Sequence, residues 1–288
     1  MVKRFLNRRL FLSALFLFYG AGLSFASARP DLRVEVGGVF SKSDIESFLN
    51  LSNENKDWST GDWESWAEDG ASLIVESYHD QGYFDARAEV LLPDSLMTKK
   101  NAVIIVRINE GPRYQFGTVE IHPSPGPFPS YPLQDLRSQP GRPFDKSFIY
   151  LDRRDLLRFY GDAGFLKATA AESLFYDTTH KAVNVAFRTN PGQALVMDTL
   201  LLNLQREGDT LGRGRTSPKL LHSLFTLHRG DTLSLKDISS FERKLKSTRV
   251  FNFVRIRDSM LQDAGGRSAL VLTAEEKIPG ELDLTGFW

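Results

Sequence analysis

The sequence predicts an α+β protein of three tandem modules, each with element order β-α-α-β-β and a three-stranded mixed sheet carrying two helices on one face. A glycine that ends a helix, followed by an aromatic residue and an alternating strand, occurs at both Gly82 and Gly164. An apolar strand that ends in a turn closes each of these blocks, at Glu110 to Pro112 and at Pro191 to Gly192. The spacing between the two glycines is too long for a solenoid repeat and suits a small domain.

The first module is predicted over residues 31–113. Leu32 to Val36 alternates as a strand, and Ser41 or Ser43 is placed to cap a short helix. Phe84 to Leu92 alternates as a half-buried strand, and Ala102 to Ile108 is apolar on both faces, as an interior strand is. Before them, a longer helix has an apolar stripe at helical spacing, formed by Trp63, Trp66, Ala67, Gly70, Ala71, Ile74, Val75 and Tyr78.

The second module is predicted over residues 114–193. It opens with the strand Tyr114 to Ile121, followed by a short helix around Pro132 to Gln139 and a longer one from Ser147 to Ala163. An alternating segment after Gly164 and the apolar run Ala182 to Phe187 supply the paired strands.

The third module is predicted over residues 194–280. Ala194 to Leu204 forms its first strand, and the segment Gly208 to Ser217 is predicted as a polar loop before two helices. The paired strands are Phe253 to Arg257 and Ala269 to Glu276, and Ile278 to Gly280 ends the module.

The first 28 residues have the pattern of an export signal. Lys3, Arg4, Arg8 and Arg9 precede the apolar run Leu10 to Phe25, and Ala26-Ser27-Ala28 offers a small-residue cleavage site. An uncleaved membrane anchor is the alternative, but the run is short for a bilayer span and is interrupted by glycines. We therefore expect cleavage and export to the periplasm of a Gram-negative type of bacterium.

Composition excludes several classes of function. Residues 1–28 hold four of the 36 basic residues and no acidic ones, so the mature part carries 32 basic against 36 acidic residues, a net charge of −4. That balance predicts no nucleic-acid partner. The chain has no cysteine, which excludes disulfides and thiolate catalysis. No HExxH or GxSxG motif occurs, so no catalytic, cofactor or metal site is predicted and the protein is not expected to be an enzyme.

The sheets offer a different kind of site. A short sheet has edges with unpaired backbone N–H and C=O groups, to which another extended chain can add as a strand. The alternative is that each edge only packs against its neighbouring module. The residues predicted to lie on the partner-binding edge strands are Asp85, Arg87, Glu89, Lys167, Thr169, Ala171, Phe253, Arg255 and Arg257.

The repeated pattern resembles POTRA domains. The matching residues are Gly82-Tyr83-Phe84 with Glu110-Gly111-Pro112, Gly164-Phe165 with Pro191-Gly192, and Val250-Phe251 with Pro279-Gly280. The third unit lacks the glycine. Three such units after a signal peptide resemble the periplasmic part of the BamA/TamA family, particularly its TamA-like branch. The resemblance implies reception of unfolded outer-membrane protein precursors and their insertion into the outer membrane through a C-terminal barrel.

The sequence departs from that family after Gly280. Only residues 281–288 follow, which could begin a first barrel strand, whereas a barrel needs many strands. Either a barrel is missing by truncation or the protein works without one. The first hypothesis is a periplasmic scaffold that binds precursors by strand addition, in association with a barrel or other envelope assembly proteins. The alternatives are a structural adaptor that spaces envelope proteins, and a hydrolase, which would require a deep pocket lined by titratable groups.

Overall fold

The computed structural model describes residues 31–35, 38–50, 59–94, 102–206, 209–260 and 267–277. The predicted signal peptide, the Pro279-Gly280 turn and the predicted barrel strand lie outside these residues. The strands are β1 Asp31–Glu35, β2 Arg87–Leu91, β3 Val103–Asn109, β4 Gln115–Pro123, β5 Thr169–Asp177, β6 Ala182–Asn190, β7 Val196–Arg206, β8 Asp209–Arg213, β9 Phe251–Met260 and β10 Arg267–Glu276. The helices are α1 Lys42–Leu49, α2 Thr60–Asp80, α3 Lys146–Asp162, α4 Pro218–Leu224 and α5 Leu235–Ser247.

Three mixed sheets follow one another along the chain, with strand orders β1-β3-β2, β4-β6-β5 and β8-β7-β10-β9. In each sheet the last strand of the module pairs in parallel with the first strand and antiparallel with the strand just before it. The last strand is therefore interior, as its apolar composition predicts. This arrangement confirms the α+β class and the succession of three related units.

The third sheet has a fourth strand, so the prediction of three strands is wrong for this module. The segment predicted as a polar loop contains β8, which turns back and pairs antiparallel with the end of β7. β7 spans 11 residues, and β10 pairs with it on one side. On the other side the returning chain satisfies part of the backbone at the end of β7.

The second module has one α-helix instead of the predicted two. The segment around Pro132 forms only a short 3-10 helix, Leu133–Asp135, since proline lacks an N–H donor and favours extended neighbours. The buried Asp152 carboxylate of α3 stabilises the residues after this short helix. It accepts from Arg137 N at 2.7 Å, Ser138 N at 2.8 Å and Ser138 Oγ at 2.6 Å. These bonds satisfy a backbone that the missing helix leaves unpaired.

The helices are positioned by side-chain caps and by separate cores. Ser41, not Ser43, caps α1, and Ser59 caps α2 in the same way, each in a reciprocal pair with an aspartate three residues later. The apolar stripe of α2 packs on the first sheet as predicted, with Ile74 and Tyr78 fully buried. Each module thus has its own hydrophobic cluster, with helices on one face and the other face open.

Candidate functional site: open sheet edges and module joints

The strands predicted to bind a partner lie at sheet edges. Within the described residues, β2, β5 and β9 each pair with one strand only. The predicted residues on them have exposed side chains, and these are Arg87 and Glu89 on β2, Thr169 and Ala171 on β5, and Phe253, Arg255 and Arg257 on β9. The position at an edge is therefore observed, while partner binding by these residues stays a prediction.

Asp85 and Lys167 were predicted on the edge strands, and the structure places both outside them. Each lies in a turn that precedes its strand, closed by a bond of 3.1 Å from Ala86 N to Tyr83 O and from Ala168 N to Phe165 O. The alternating pattern continues through these turns, which is why the sequence suggests longer strands. We call residues 82–86 and 164–168 the joint turns.

Both side chains form ion pairs with the following module. Asp85 Oδ2 lies 2.9 Å from the Nζ of Lys181, the residue that precedes β6 in the second module. Lys167 Nζ lies 2.5 Å from Asp258 Oδ2 on β9 of the third module. Both residues therefore belong to the connection between modules and not to a free edge.

Phe84 is likewise not part of the core of its own module, where the predicted strand would place it. Its ring contacts three rings of the second module, with centroid distances of 5.1 Å to Tyr114, 5.1 Å to Phe144 and 4.8 Å to Tyr176. The preceding Tyr83 contacts Tyr78 of the first module, at 5.8 Å. Two adjacent side chains thus bind neighbouring modules to each other.

The second joint repeats this arrangement. Phe165 contacts Tyr160 of its own module, and Leu166 packs against the core of the third module. The backbone repeats too, since Gly82 O accepts from Tyr114 N at 2.8 Å and Gly164 O accepts from Leu195 N at 3.0 Å. The recurring sequence motif therefore encodes a joint between modules.

Glycine is required at the start of each joint turn. Gly82 has φ +91° and Gly164 has φ +97°, in the left-handed region. A Cβ on Gly82 would also lie 2.9 Å from Phe144 Cβ and 3.1 Å from Phe144 O, both in the second module. The close approach of the two modules thus depends on the absence of a side chain.

The third module has no joint turn. Arg249 occupies the left-handed position there, with φ +57°, but β9 begins only two residues later. Val250 is exposed, and Phe251 packs into the core of its own module. The missing glycine noted in the sequence therefore accompanies a different connection between helix and strand in this module.

Polar contacts add to the first joint. Lys146 Nζ of α3 lies 2.8 Å from Asp80 Oδ1 at the end of α2, and this hydrogen bond raises the pKa of Lys146. Arg113 donates to Gln81 O at 2.9 Å and to Phe144 O at 3.2 Å. Exposed ion pairs stabilise by about 0–1 kcal/mol each, so the aromatic and backbone contacts carry most of the joint.

A groove of about 490 Å³ opens beside the first joint. It lies between the end of α2, the joint turn and the second half of β5, and we call it the joint groove. Aromatic rings form its walls, and these are Phe84, Tyr114, Phe144 and Tyr176. The groove is not evident from the sequence because it forms only where two modules meet. The signal in the sequence that points to the groove is Phe84, an apolar residue two positions after Gly82. Leu166 stands at the same position after Gly164.

Two carboxylates fix loops to the interior strands. Glu110, predicted from the sequence as part of a turn, accepts from Gly38 N at 2.7 Å, Tyr78 OH at 2.9 Å and Val39 N at 3.2 Å. Burial alone would raise the pKa of Glu110, but these donors outweigh it and hold the pKa below its usual range. Glu276 accepts from Arg215 N and Thr216 N, and its pKa is lowered in the same way.

No group of three or more histidine, aspartate or glutamate side chains placed to hold a metal ion occurs in the described part of the chain. Over the same residues, no helix has the length and apolar character needed to cross a bilayer.

Comparison with known proteins identifies the fold. No protein-family model and no curated protein sequence matches the chain. Among solved structures, POTRA3-5 of Haemophilus influenzae BamA superposes with a TM-score of 0.51 at 16% identity, covering 87% of this chain and 96% of the other. POTRA1-3 of Omp85 from Anabaena gives a TM-score of 0.32 at 15% identity, covering 88% and 95%. The three modules of this protein have the POTRA fold.

Proposed function

We propose that this protein is a periplasmic scaffold of the BamA/TamA type, which binds unfolded outer-membrane protein precursors by strand addition. The POTRA fold, the export-like start and the open edges support this proposal. The signal pattern favours the periplasm, and the similar solved structure from Haemophilus influenzae is a part of BamA. Association with the outer membrane, through a barrel or through partner assembly proteins, follows from the same reasoning.

The observation that carries the proposal is the open edge of β5. This strand spans nine residues, begins with the small residues Thr169, Ala170 and Ala171, and pairs with β6 alone among the described strands. An incoming strand would pair with main-chain groups, so it needs little sequence specificity. Unfolded barrel precursors are rich in segments that form strands, and such a surface suits them.

Proline substitution tests strand addition, because proline removes the donor that an added strand would use. One proline is introduced into each edge strand, as Arg87→Pro, Thr169→Pro and Arg255→Pro. A second set places the proline at the neighbouring residue, because N–H groups of successive residues in a strand point to opposite sides. Where the N–H of the replaced residue points away from the interior strand, proline removes no bond of the native sheet and should leave the melting temperature unchanged, and only such variants are scored. We expect reduced photocrosslinking of a urea-denatured porin to these variants. Unchanged crosslinking in all three modules would contradict strand addition.

A structural adaptor is the second candidate, and the two repeated joints favour it. Each joint combines an inserted apolar side chain, a glycine carbonyl that accepts from the next module, and an ion pair. Such joints would hold attached envelope proteins at a fixed spacing. Capture of defined partners in pull-down experiments, with no capture of denatured porin, would favour the adaptor over the scaffold for precursors.

A further inference from the structure

The joint groove continues the open edge of β5. Leu174 and Tyr176 line the groove, and both lie on the face of β5 that carries the helices. That face is identified by Glu172, two residues before Leu174, which pairs with Arg153 of α3 at 3.3 Å. Alternate residues of a strand share a face. A strand added along β5 would therefore direct every second side chain to this face, and those beside Leu174 and Tyr176 towards the groove.

The groove has the size and lining to hold one ring. Its volume of about 490 Å³ lies in the range of small-ligand sites. Phe84 already makes edge-to-face contacts with Tyr114 and Tyr176, and Tyr176 keeps 52% of its surface exposed. Another aromatic side chain can add to this cluster in the same geometry.

The rim of the groove is acidic. Asp80 is paired with Lys146 and Asp85 with Lys181. Glu76, on α2 and also lining the groove, is exposed, and its charge adds to that of Asp80 in raising the pKa of Lys146. The three carboxylates Glu76, Asp80 and Asp85 thus face two lysines, and this negative excess favours a cationic group on the occupant.

We propose that the joint groove binds an aromatic side chain of a polypeptide strand added to β5, and prefers strands with lysine or arginine two residues away. The two-residue separation places the cation on the same face as the ring, the face that holds the groove lined by Glu76. This inference rests on the strand addition proposed above and adds a preference in side chains to it. Strand addition by itself is largely independent of sequence, so the preference is a separate claim.

Peptides of nine residues, the length of β5, test this preference against the full chain. The reference peptide alternates threonine and valine, carries phenylalanine at its centre and has lysine two residues before it. One matched peptide replaces the phenylalanine by alanine, and another replaces the lysine by glutamate. We expect calorimetry to show about ten- to a hundredfold weaker binding without the ring. The glutamate peptide should bind about threefold more weakly, by an amount that shrinks with added salt.

Adjacent tyrosine and phenylalanine residues supply matched protein variants. Tyr176→Ala should abolish the preference for the phenylalanine peptide, and Tyr176→Phe should restore it. Phe175→Ala is the control, because Phe175 is 55% exposed but lies on the opposite face of β5. Glu76→Gln should remove the preference for lysine, whereas Glu64→Gln, elsewhere on α2, should not. Melting temperatures show whether each variant is folded.

The outcomes separate this inference from the proposed function. If the phenylalanine and alanine peptides bind equally, the groove preference is refuted. Strand addition is left intact if that binding is abolished by proline at Glu172 or Ser173, whichever has its N–H pointing away from β6. Absence of binding by every peptide would refute both at β5. Binding of free phenylalanine methyl ester as tightly as the peptide would show a small-molecule site and overturn the inference as well.

Discussion

Replacing Gly82 with alanine, compared with a matched glycine elsewhere, should show how much free energy the close approach of two modules contributes beyond the backbone conformation of the glycine. Gly82 has φ +91°, and its new Cβ would meet Phe144 Cβ at 2.9 Å and Phe144 O at 3.1 Å. Gly141 has φ +80°, and a Cβ added there would have no heavy atom within 4 Å, so Gly141→Ala is a matched control. Both variants incur the left-handed penalty, but only Gly82→Ala pushes against the second module.

The expected magnitudes follow from these contacts. A non-glycine residue in the left-handed region costs about 1–2 kcal/mol. Relief of the contact requires a shift of the Phe144 backbone, and overpacking of this kind costs about 1–3 kcal/mol more. Gly141→Ala should therefore lose about 1–2 kcal/mol of unfolding free energy and Gly82→Ala about 2–5 kcal/mol. The difference between these two losses of unfolding free energy measures the cost of disturbing the contact between the first and second modules.

Two measurements on each variant test this reasoning. Urea unfolding followed by circular dichroism gives the free energy. The natural absence of cysteine allows spin labels at Glu68→Cys and Arg158→Cys, exposed on α2 and α3, without background labelling. Gly82→Ala should broaden or shift the distance between the labels, and Gly141→Ala should leave it unchanged. Equal destabilisation by both variants, with an unaltered distance in each, would refute the account of the joint.

Three further predictions concern contacts in the first two modules. Phe84→Ala should weaken the first joint by about 2–3 kcal/mol, below the value for a fully buried ring, and uncouple the unfolding of the modules in calorimetry. Asp152→Ala leaves the Ser138 donors buried without a partner and should destabilise the second module by about 3 kcal/mol in urea, while Asp155→Ala should cost less. Because folding lowers the pKa of Glu110, its contribution is present above the unfolded value of about 4.5 and is lost as the pH falls below it. The melting temperature should accordingly fall on acidification below about pH 4.5, and Glu110→Gln should reduce that dependence.

The sequence predicted best where one local pattern determines the structure. The stripe of α2 and the apolar interior strands depend on periodicity within a single segment, and both lie where expected. Prediction failed where a distant segment decides. The strand β8 is defined by its pairing with β7, which lies before it in the chain. The backbone after the short 3-10 helix of the second module is bound by Asp152, which lies in α3.

The candidate site divides in the same way. The edge positions of Arg87, Thr169 and Arg255 follow from the sequence pattern. Each lies on an alternating strand just before a fully apolar strand, and the apolar strand takes the interior position of the sheet. Asp85 and Lys167 could not, since their turns have the same alternation as the strands after them. Only the ion pairs with Lys181 and Asp258 show that they face another module.

The repeated motif itself is explained by the joint and not by the helix stop. A left-handed residue suffices to end a helix, and Arg249 does so in the third module without glycine. That module lacks the residues that bind a following module, and Val250 is exposed where Tyr83 and Phe165 pack inward elsewhere. The aromatic residue and its successor after the glycine occur at the two places where one module contacts the next. The same junction that fixes Phe84 forms the joint groove beside β5, because Tyr114 and Phe144 of the second module both contact Phe84 and line the groove.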